Sequence, residues 1–179
     1  MQYPAIERYL KSFAQDVVSQ SKSLLKANKG DTKLGESIDF TVTKETEGFS
    51  VKFYMLDYGT FLDKGVSGNK VKRNFINYNL QNESSPYSYT SKGPPIDILS
   101  KWVKKKGLKP KGWGKGRDKD TGQYVSGLAI YISRKIKLKG IPSISFFSKP
   151  FGTGYDKLKK GLLNEFTKDI KTYITTFTK

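Results

Sequence analysis

The first part of the chain carries an apolar stripe with helical spacing. Small and apolar residues recur there at steps of three and four positions, with lysine and glutamine between them: Ile6, Leu10, Phe13, Val17, Ser21 and Leu24. Such a stripe is typical of a helix with one buried face. The pattern predicts a long helix from about Tyr3 to Ala27, ended by Gly30 in a left-handed conformation.

The next segment changes to a two-residue period. Apolar and polar residues alternate from Ile38 to Thr43, and again from Phe49 to Met55 after a short loop that contains Gly48. Two alternating runs joined by a glycine-containing loop indicate an antiparallel β-hairpin with one buried face. The sequence therefore predicts a hairpin over about residues 38–55.

Three further helices are predicted after the hairpin. A short helix from Leu56 to Lys64 is capped by Gly65, and a second begins at Pro95, which suits the first helical position. The apolar face of this second helix is formed by Ile98, Leu99, Trp102 and Val103. A third helix, from about Val125, ends at Gly140.

The C-terminal part of the chain carries another helical stripe. It follows a capping box formed by Thr153 and Asp156, and its apolar positions are Tyr155, Leu158, Leu162, Phe166, Ile170, Tyr173 and Phe177. We expect an α+β fold in which a small antiparallel sheet is packed by a long N-terminal helix, two middle helices and a long C-terminal helix. A chain of 179 residues without an obvious break is predicted to be a single domain, residues 1–179.

Residues 67–94 interrupt this regular pattern. The segment is rich in asparagine, serine and tyrosine, shows no sustained period, and contains the aromatic residues Phe75, Tyr78, Tyr87 and Tyr89. Loops of this length in compact domains commonly serve a function or order on binding. We therefore predict an extended polar arm that docks on a partner.

The composition excludes several kinds of chemistry. The chain has no cysteine and no histidine, which removes disulfides, thiolate and most zinc sites, and Ser-His-Asp or Cys-His nucleophile pairs. The glycine-rich stretches do not match a phosphate-binding loop. Asp118–Gly122 lacks the remaining ligands of a calcium loop, so we interpret it as a turn. We predict no catalytic residue, no metal and no cofactor.

The charge indicates an anionic neighbour. The net charge is +17, with 33 lysines and arginines against 16 acidic residues. Lysine far outnumbers arginine, 29 against 4, and base-reading surfaces favour arginine. The surface predicted to face DNA or an acidic partner consists of Lys104, Lys105, Lys106, Lys109, Lys111, Lys115 and Arg117. Trp102 is assigned to the apolar face of its helix, and Trp113 is left open.

No membrane association is predicted. Glu7 and Arg8 occupy the position where a signal peptide would be apolar, and the longest apolar run, Leu128 to Ile132, is far too short to cross a bilayer. These features predict a soluble protein made in a cytoplasm.

The order of these features resembles that of the head–tail joining and tail-completion proteins of tailed bacteriophages. A first helix is followed by a Thr32-x-Leu34-x-x-Ser37-Ile38 junction, the hairpin, and the corner YGTFLDKGVSG at residues 58–68. A Pro-Pro-led helix, a Gly140-Ile141 helix end, a Phe146-Phe147 segment and a long final helix complete the order.

The resemblance implies a structural virion protein without enzymatic activity. It would form a homo-oligomeric ring of six or twelve copies in the neck or tail, assembled in the host bacterial cytoplasm, with genome DNA passing through the ring. Its partners would be portal, adaptor or tail proteins, with non-specific contact to DNA in the lumen. The residues expected at the oligomer interface are Tyr58, Phe61, Leu62, Val66, Phe75, Tyr78, Tyr87 and Tyr89.

Two other functions stay open from the sequence. A stand-alone basic nucleic-acid-binding protein would account for the charge, and about six lysine–phosphate contacts would give its affinity a steep salt dependence. A hydrolase that uses carboxylates alone would draw on Asp57, Asp63, Asp118 and Asp120.

Overall fold

The computed structural model describes residues 3–46, 48–108, 114–117 and 124–177. The chain divides into two compact units. Unit 1 comprises Met1–Asp63, Phe75–Glu83 and Ile144–Lys179, and unit 2 comprises Lys64–Asn74 and Ser84–Ser143. The chain therefore passes between the units four times. The prediction of a single domain stays a prediction.

The described residues form helices and short strands. In chain order, these are α1 (Pro4–Lys29), α2 (Lys33–Ser37), β1 (Asp39–Glu45), β2 (Gly48–Tyr54), α3 (Gly59–Lys64), β3 (Asn74–Ile76), β4 (Asn82–Ser84), α4 (Ile96–Lys105), β5 (Lys115–Arg117), β6 (Tyr124–Ser126), α5 (Gly127–Lys139) and α6 (Ser148–Phe177). The predicted α+β class is confirmed, with the long terminal helices and the small antiparallel hairpin where they were expected. No helix within the described ranges is long and apolar enough to cross a membrane.

Unit 1 is built from α1, α6 and the β1–β2 hairpin. The two strands pair antiparallel from Asp39 opposite Tyr54 to Glu45 opposite Gly48, and both α6 and the hairpin pack against α1. The alternation of apolar residues places Phe40, Val51 and Phe53 against the buried core. The hairpin therefore has one face on the core, as its two-residue period requires.

Aromatic rings fill much of the unit 1 core. The ring of Phe53 lies 5.4 Å from Phe147, 5.8 Å from Phe151 and 6.2 Å from Phe13, all in edge-on arrangements. Phe146 is completely buried. Edge-to-face pairs at these distances are favourable beyond the burial of their area. This cluster joins the hairpin to both long helices.

Two buried aspartates cap the two long helices. Asp63, at the end of α3, accepts hydrogen bonds from the backbone N–H of Phe147 (2.7 Å) and of Ser148 (3.1 Å) and from the Ser148 hydroxyl, at the start of α6. Asp169, on α6, accepts from the N–H of Ala5 (2.9 Å) and Ile6 (3.0 Å) at the start of α1. A carboxylate at a helix N-terminus satisfies N–H groups without an intrahelical partner.

The predicted capping box at Thr153 and Asp156 is wrong. α6 already begins at Ser148, so both residues lie inside it. The cap comes instead from Asp63, which is distant in the chain. The segment around Lys33 is the short helix α2, whose start is capped by the Thr32 hydroxyl, which accepts a hydrogen bond from the N–H of Gly35.

Unit 2 contains α4, α5 and the β5–β6 hairpin, which pack on one another. Its buried apolar residues include Val66, Val103, Val125 and Ala129. α4 begins one residue after Pro95. α5 begins at Gly127 rather than at Val125, because Val125 belongs to β6, which pairs antiparallel with β5.

The helix-ending glycines are as predicted. Gly30, Gly65 and Gly140 have φ of 73°, 72° and 69°. This left-handed conformation costs little for glycine and is strained for other residues. Helix ends were therefore predicted more accurately than helix starts.

The predicted polar arm, residues 67–94, contains secondary structure that the sequence analysis did not assign. The strands β3 and β4 lie within it and pair with each other. In unit 2, the backbone N–H of Ser67 donates to the carbonyl of Tyr87, and the Ser67 carbonyl accepts from the N–H of Tyr89, both at 2.8 Å. These bonds hold the backbone of the segment locally. Its docking on a neighbouring protein stays a prediction.

Candidate functional site

The first candidate surface lies at the end of β2 and around α3 in unit 1. Within eight consecutive residues, four large apolar side chains are strongly exposed: Tyr54 (50%), Leu56 (41%), Tyr58 (46%) and Phe61 (43%). We call these four residues the apolar corner. Concentrations of exposed apolar side chains mark interaction surfaces more often than scattered ones do.

The apolar corner is held from behind by close packing. A Cβ on Gly59 would approach the Met55 sulfur to 2.7 Å and a Leu34 methyl to 3.0 Å, so only glycine fits there without a shift. The carbonyl of Leu62 accepts from the N–H of Ile144 (3.0 Å), and Asp63 is bound to the start of α6. The exposed side chains therefore project from an ordered backbone.

The remainder of the corner sequence, residues 64–68, belongs to unit 2. Gly65 has φ +72°, and Val66 exchanges two backbone hydrogen bonds with Ile141, of 2.9 and 2.8 Å. A Cβ on Gly68 would lie 2.3 Å from the Leu138 carbonyl oxygen and 2.4 Å from the Gly140 nitrogen. The glycines of this segment thus permit a close backbone approach and do not form a phosphate-binding loop.

The predicted interface residues fall into three groups. Tyr58, Phe61 and Tyr78 are exposed, although the ring of Tyr78 also lies 5.3 Å from that of Phe151. The partly buried residues are Leu62, Tyr87 and Tyr89, and burial raises the pKa of the Tyr89 hydroxyl. The buried residues are Val66 and Phe75.

The burial of Val66 and Phe75 corrects their predicted role. With exposures of only 6% and 5%, their side chains lie inside the chain and are core residues. They were predicted at the interface because Val66 belongs to the corner at residues 58–68 and Phe75 is one of the aromatic residues of the polar arm. The sequence does not tell which way such a side chain points. The interface prediction is carried by the exposed residues.

The second candidate surface is a groove in unit 2 between α4 and the β5–β6 hairpin. Its lining combines three lysines with small and apolar residues: Lys101, Lys104, Lys115, Ser100, Ser126, Val103, Leu108, Val125, Gly107 and Gly114. We call it the basic groove. The Ser100 hydroxyl accepts from the N–H of Ser126 (3.2 Å), and the Gly114 carbonyl accepts from the N–H of Gly127 (2.9 Å). These bonds help to fix the groove walls.

The predicted basic surface coincides with this region in part. Lys104, Lys105, Lys106 and Lys115 are exposed, as expected, and Lys104 and Lys115 line the groove. Lys109 and Lys111 lie outside the described residues, as does Trp113. Arg117 lies in β5, and its side chain is not described.

The assignment of Trp102 to the buried face of α4 is wrong. Its side chain is 44% exposed and that of Ile98 is 60% exposed, whereas Val103 is buried. The helix therefore faces the interior with Val103 and, partly, Leu99. The presence of four apolar residues on one short helix does not indicate which of them are buried.

The net charge is very unevenly distributed between the units. The residue ranges of unit 2 carry 18 lysines and arginines against three aspartates, a net charge of +15. Those of unit 1 carry 15 against 13 acidic residues, a net charge of +2. Almost all of the excess positive charge therefore resides in unit 2.

The four candidate carboxylates of a hydrolase differ in what the structure shows of them. Both oxygens of Asp63 accept hydrogen bonds from the start of α6, so this residue is a structural cap. Asp57 is exposed at a turn, and Asp118 and Asp120 lie outside the described residues. Among the residues that the structure describes, no cluster of three potential metal ligands is found.

Comparison with protein-family models, with curated proteins and with solved structures finds no match for this chain. The features of the molecule that bear on its function are therefore the apolar corner, the basic groove and the distribution of charge.

Proposed function

We propose that this protein is a non-enzymatic structural component of a tailed-phage virion. It forms a homo-oligomeric ring in the neck or tail, as a head–tail connector or tail-completion protein, and genome DNA passes through the ring. Its other partners are the portal, adaptor or tail proteins above and below it. The order of sequence features that resembles this class of proteins is the origin of the proposal.

The observation that carries the proposal is the apolar corner. Tyr54, Leu56, Tyr58 and Phe61 expose between 41% and 50% of their surface in one short stretch. The packing of Gly59 and the bonds of Asp63 hold the backbone of that stretch in place. An ordered surface binds at a smaller entropic cost than a mobile one, and large apolar side chains supply most of the free energy of subunit contacts.

The test is the mass of the assembly in native mass spectrometry, at concentrations from 1 to about 100 μM protein. The unmodified chain should form a closed species of six or twelve copies without DNA. The double variant Tyr58→Ser, Phe61→Ser should shift the population to the monomer, because it removes two anchors of the contact.

The matched control is the double variant Ile98→Ser, Tyr131→Ser. These side chains are exposed by 60% and 41% but belong to α4 and α5 of unit 2, whereas the apolar corner belongs to unit 1. The control should assemble like the unmodified chain. A chain that stays monomeric throughout, or a control that loses assembly as fully as the corner variant, would contradict the proposal.

The concentration of charge in unit 2 favours a second candidate function, a stand-alone basic nucleic-acid-binding protein. A monomer that binds DNA in a salt-dependent manner would favour this second candidate over the ring.

A further inference from the structure

The basic groove combines charge, hydroxyl groups and open backbone in one concave surface. Lys101 and Lys104 project from α4, and Lys115 comes from the facing strand β5. Gly107 and Gly114 line it, and a Cβ at either position would meet no atom of the described residues within 4 Å. A ligand can therefore approach the backbone closely at both points.

The charge of this groove is not compensated by the described part of the chain. Lys101, Lys104 and Lys115 form no ion pair with any carboxylate of the described residues, whereas Lys11, Lys26, Lys159 and Lys168 of unit 1 each do. In α4 the basic residues 101, 104 and 105 also stand three and four positions apart, where like charges destabilise a helix. Such an arrangement is stabilised by an external anion.

The residue types indicate which anion fits. Lysine is a point charge that contacts phosphate without the fixed fork that reads a guanine edge. The serine hydroxyls that line the groove are of the kind that contact phosphate oxygens, and Val103, Leu108 and Val125 offer no hydrogen bond to a base. The phosphodiester backbone of nucleic acid, bound without regard to base sequence, fits this set of groove residues.

We infer that the basic groove of unit 2 binds the phosphate backbone of nucleic acid. The inference goes beyond the ring, because it holds equally for a ring subunit and for a single chain. The contact is electrostatic, tolerant of sequence, and centred on Lys101, Lys104 and Lys115. Loss of DNA binding and loss of assembly can therefore be observed separately.

The test is fluorescence anisotropy with a labelled random-sequence duplex between 50 and 200 mM NaCl. About six lysine–phosphate contacts give a slope near −5 for log K against log[NaCl], which is about a thousandfold loss of affinity over this range. The triple variant Lys101→Gln, Lys104→Gln, Lys115→Gln should reduce the slope to about −2.7, because three contacts are lost. An unchanged slope would overturn the inference.

The matched control removes the same charge from unit 1. Lys22, Lys29 and Lys52 are exposed, and Lys22→Gln, Lys29→Gln, Lys52→Gln changes the net charge equally. This control should keep the slope of the unmodified chain. If it weakens DNA binding as much as the groove variant does, binding follows net charge and not the groove, and the inference fails. Unchanged circular dichroism, together with a urea midpoint from tryptophan fluorescence that does not fall, confirms that both variants are folded.

Three further measurements identify the ligand. A single-stranded oligonucleotide should give a shallower slope, near −4, since each contact releases fewer counterions. Trp102→Ala should leave the affinity for duplex DNA unchanged, because Trp102 does not line the groove. A tenfold loss of affinity would show that DNA contacts the exposed face of α4 instead, and would overturn the assignment. Polyglutamate should compete less well than DNA of equal charge, and stronger competition would indicate an acidic protein instead.

Discussion

Unit 1 and unit 2 differ in how their charged and polar groups are compensated. In unit 1 the carboxylates of Asp63 and Asp169 are buried and accept hydrogen bonds at the start of a long helix. The numbers of basic and acidic residues in this unit are nearly equal. In unit 2 there are three aspartates against 18 lysines and arginines. The lysines of the basic groove have no carboxylate partner among the described residues.

This difference implies that unit 1 mainly determines the stability of the chain and that unit 2 is the part suited to bind an anionic partner. A core of edge-to-face phenylalanine pairs, with both long helices capped, stabilises unit 1. The positive charges of unit 2 repel one another, which reduces the stability of the unit. The same charges attract polyanions. We therefore expect the mutations with the largest effect on stability to lie in unit 1, and unit 2 to respond most to salt.

The two units can be followed by different signals. Both tryptophans, Trp102 and Trp113, belong to the residue range of unit 2, so tryptophan fluorescence reports on that unit. The far-ultraviolet circular dichroism comes mainly from α1 and α6, with 26 and 30 residues, against 10 and 13 residues in α4 and α5. Urea denaturation monitored by both signals tests the comparison directly.

The largest effect is expected for Asp63→Ala. The substitution removes the acceptor for two backbone N–H groups and one hydroxyl at the buried start of α6. Leaving such donors without a partner should lower the free energy of unfolding of unit 1 by about 3 kcal/mol. The urea midpoint from circular dichroism should fall clearly more than that from fluorescence.

Asp57→Ala is the control for this prediction. Asp57 lies six residues earlier, is exposed, and its substitution should change either midpoint by less than about 0.5 kcal/mol. If Asp63→Ala is as mild as Asp57→Ala, the buried cap contributes little and the contrast between the units loses its main support.

The second effect, in unit 2, is expected for Gly68→Ala. The added methyl group would lie 2.3 Å from the carbonyl oxygen of Leu138 and 2.4 Å from the nitrogen of Gly140, and both obstacles are backbone atoms. Relieving the overlap requires the two segments to separate, at a cost of about 2 kcal/mol. The fluorescence midpoint should therefore fall. Gly114→Ala is the control, because its Cβ would meet no atom of the part of the chain that the structure describes within 4 Å. Equal losses in both variants would argue against the close approach.

The local structure could be predicted from the sequence where neighbours in the chain determine it. The two-residue period predicted a hairpin over 38–55, and the strands span Asp39–Glu45 and Gly48–Tyr54. The glycine helix ends were also correct, because a positive φ favours glycine whatever surrounds it. These features need only local information.

The helix caps could not be predicted because their partners are distant in the chain. Asp63 and Phe147 are 84 residues apart, and Asp169 and Ala5 are 164 apart. The sequence analysis assigned the start of α6 to Thr153 because a local capping pattern was present. No sequence signal distinguishes a buried capping aspartate from an exposed one until the fold brings the helix end to it.

The candidate site was predicted in composition but not in shape. The excess of lysine around residues 101–115 indicated a basic surface, and Lys104 and Lys115 do line one groove. The groove itself depends on the pairing of β5 with β6 and on the Ser100–Ser126 hydrogen bond, which joins residues 26 positions apart. The orientation of α4, with Trp102 outward, likewise depends on packing and not on the apolar pattern.

The smallest effect is the response of stability to salt. Within the helices α4 and α5 of unit 2, four pairs of like charges stand three or four positions apart: Lys101–Lys104, Lys101–Lys105, Arg134–Lys137 and Lys135–Lys139. Raising NaCl from 20 to about 300 mM screens such exposed pairs and should raise the free energy of unfolding of unit 2 by about 0.5–1 kcal/mol. The fluorescence midpoint in urea should therefore rise, while the circular dichroism midpoint moves much less.

Charge removal separates this screening from a general effect of salt. Arg134→Gln with Lys135→Gln eliminates two of the four pairs, so the rise of the fluorescence midpoint with NaCl should be about half that of the unmodified chain. Lys22→Gln with Lys29→Gln removes the same charge from α1 and should leave the salt response of unit 2 unchanged. If both midpoints rise equally in every variant, salt acts on the whole chain, and the repulsion inferred within unit 2 is not what limits its stability.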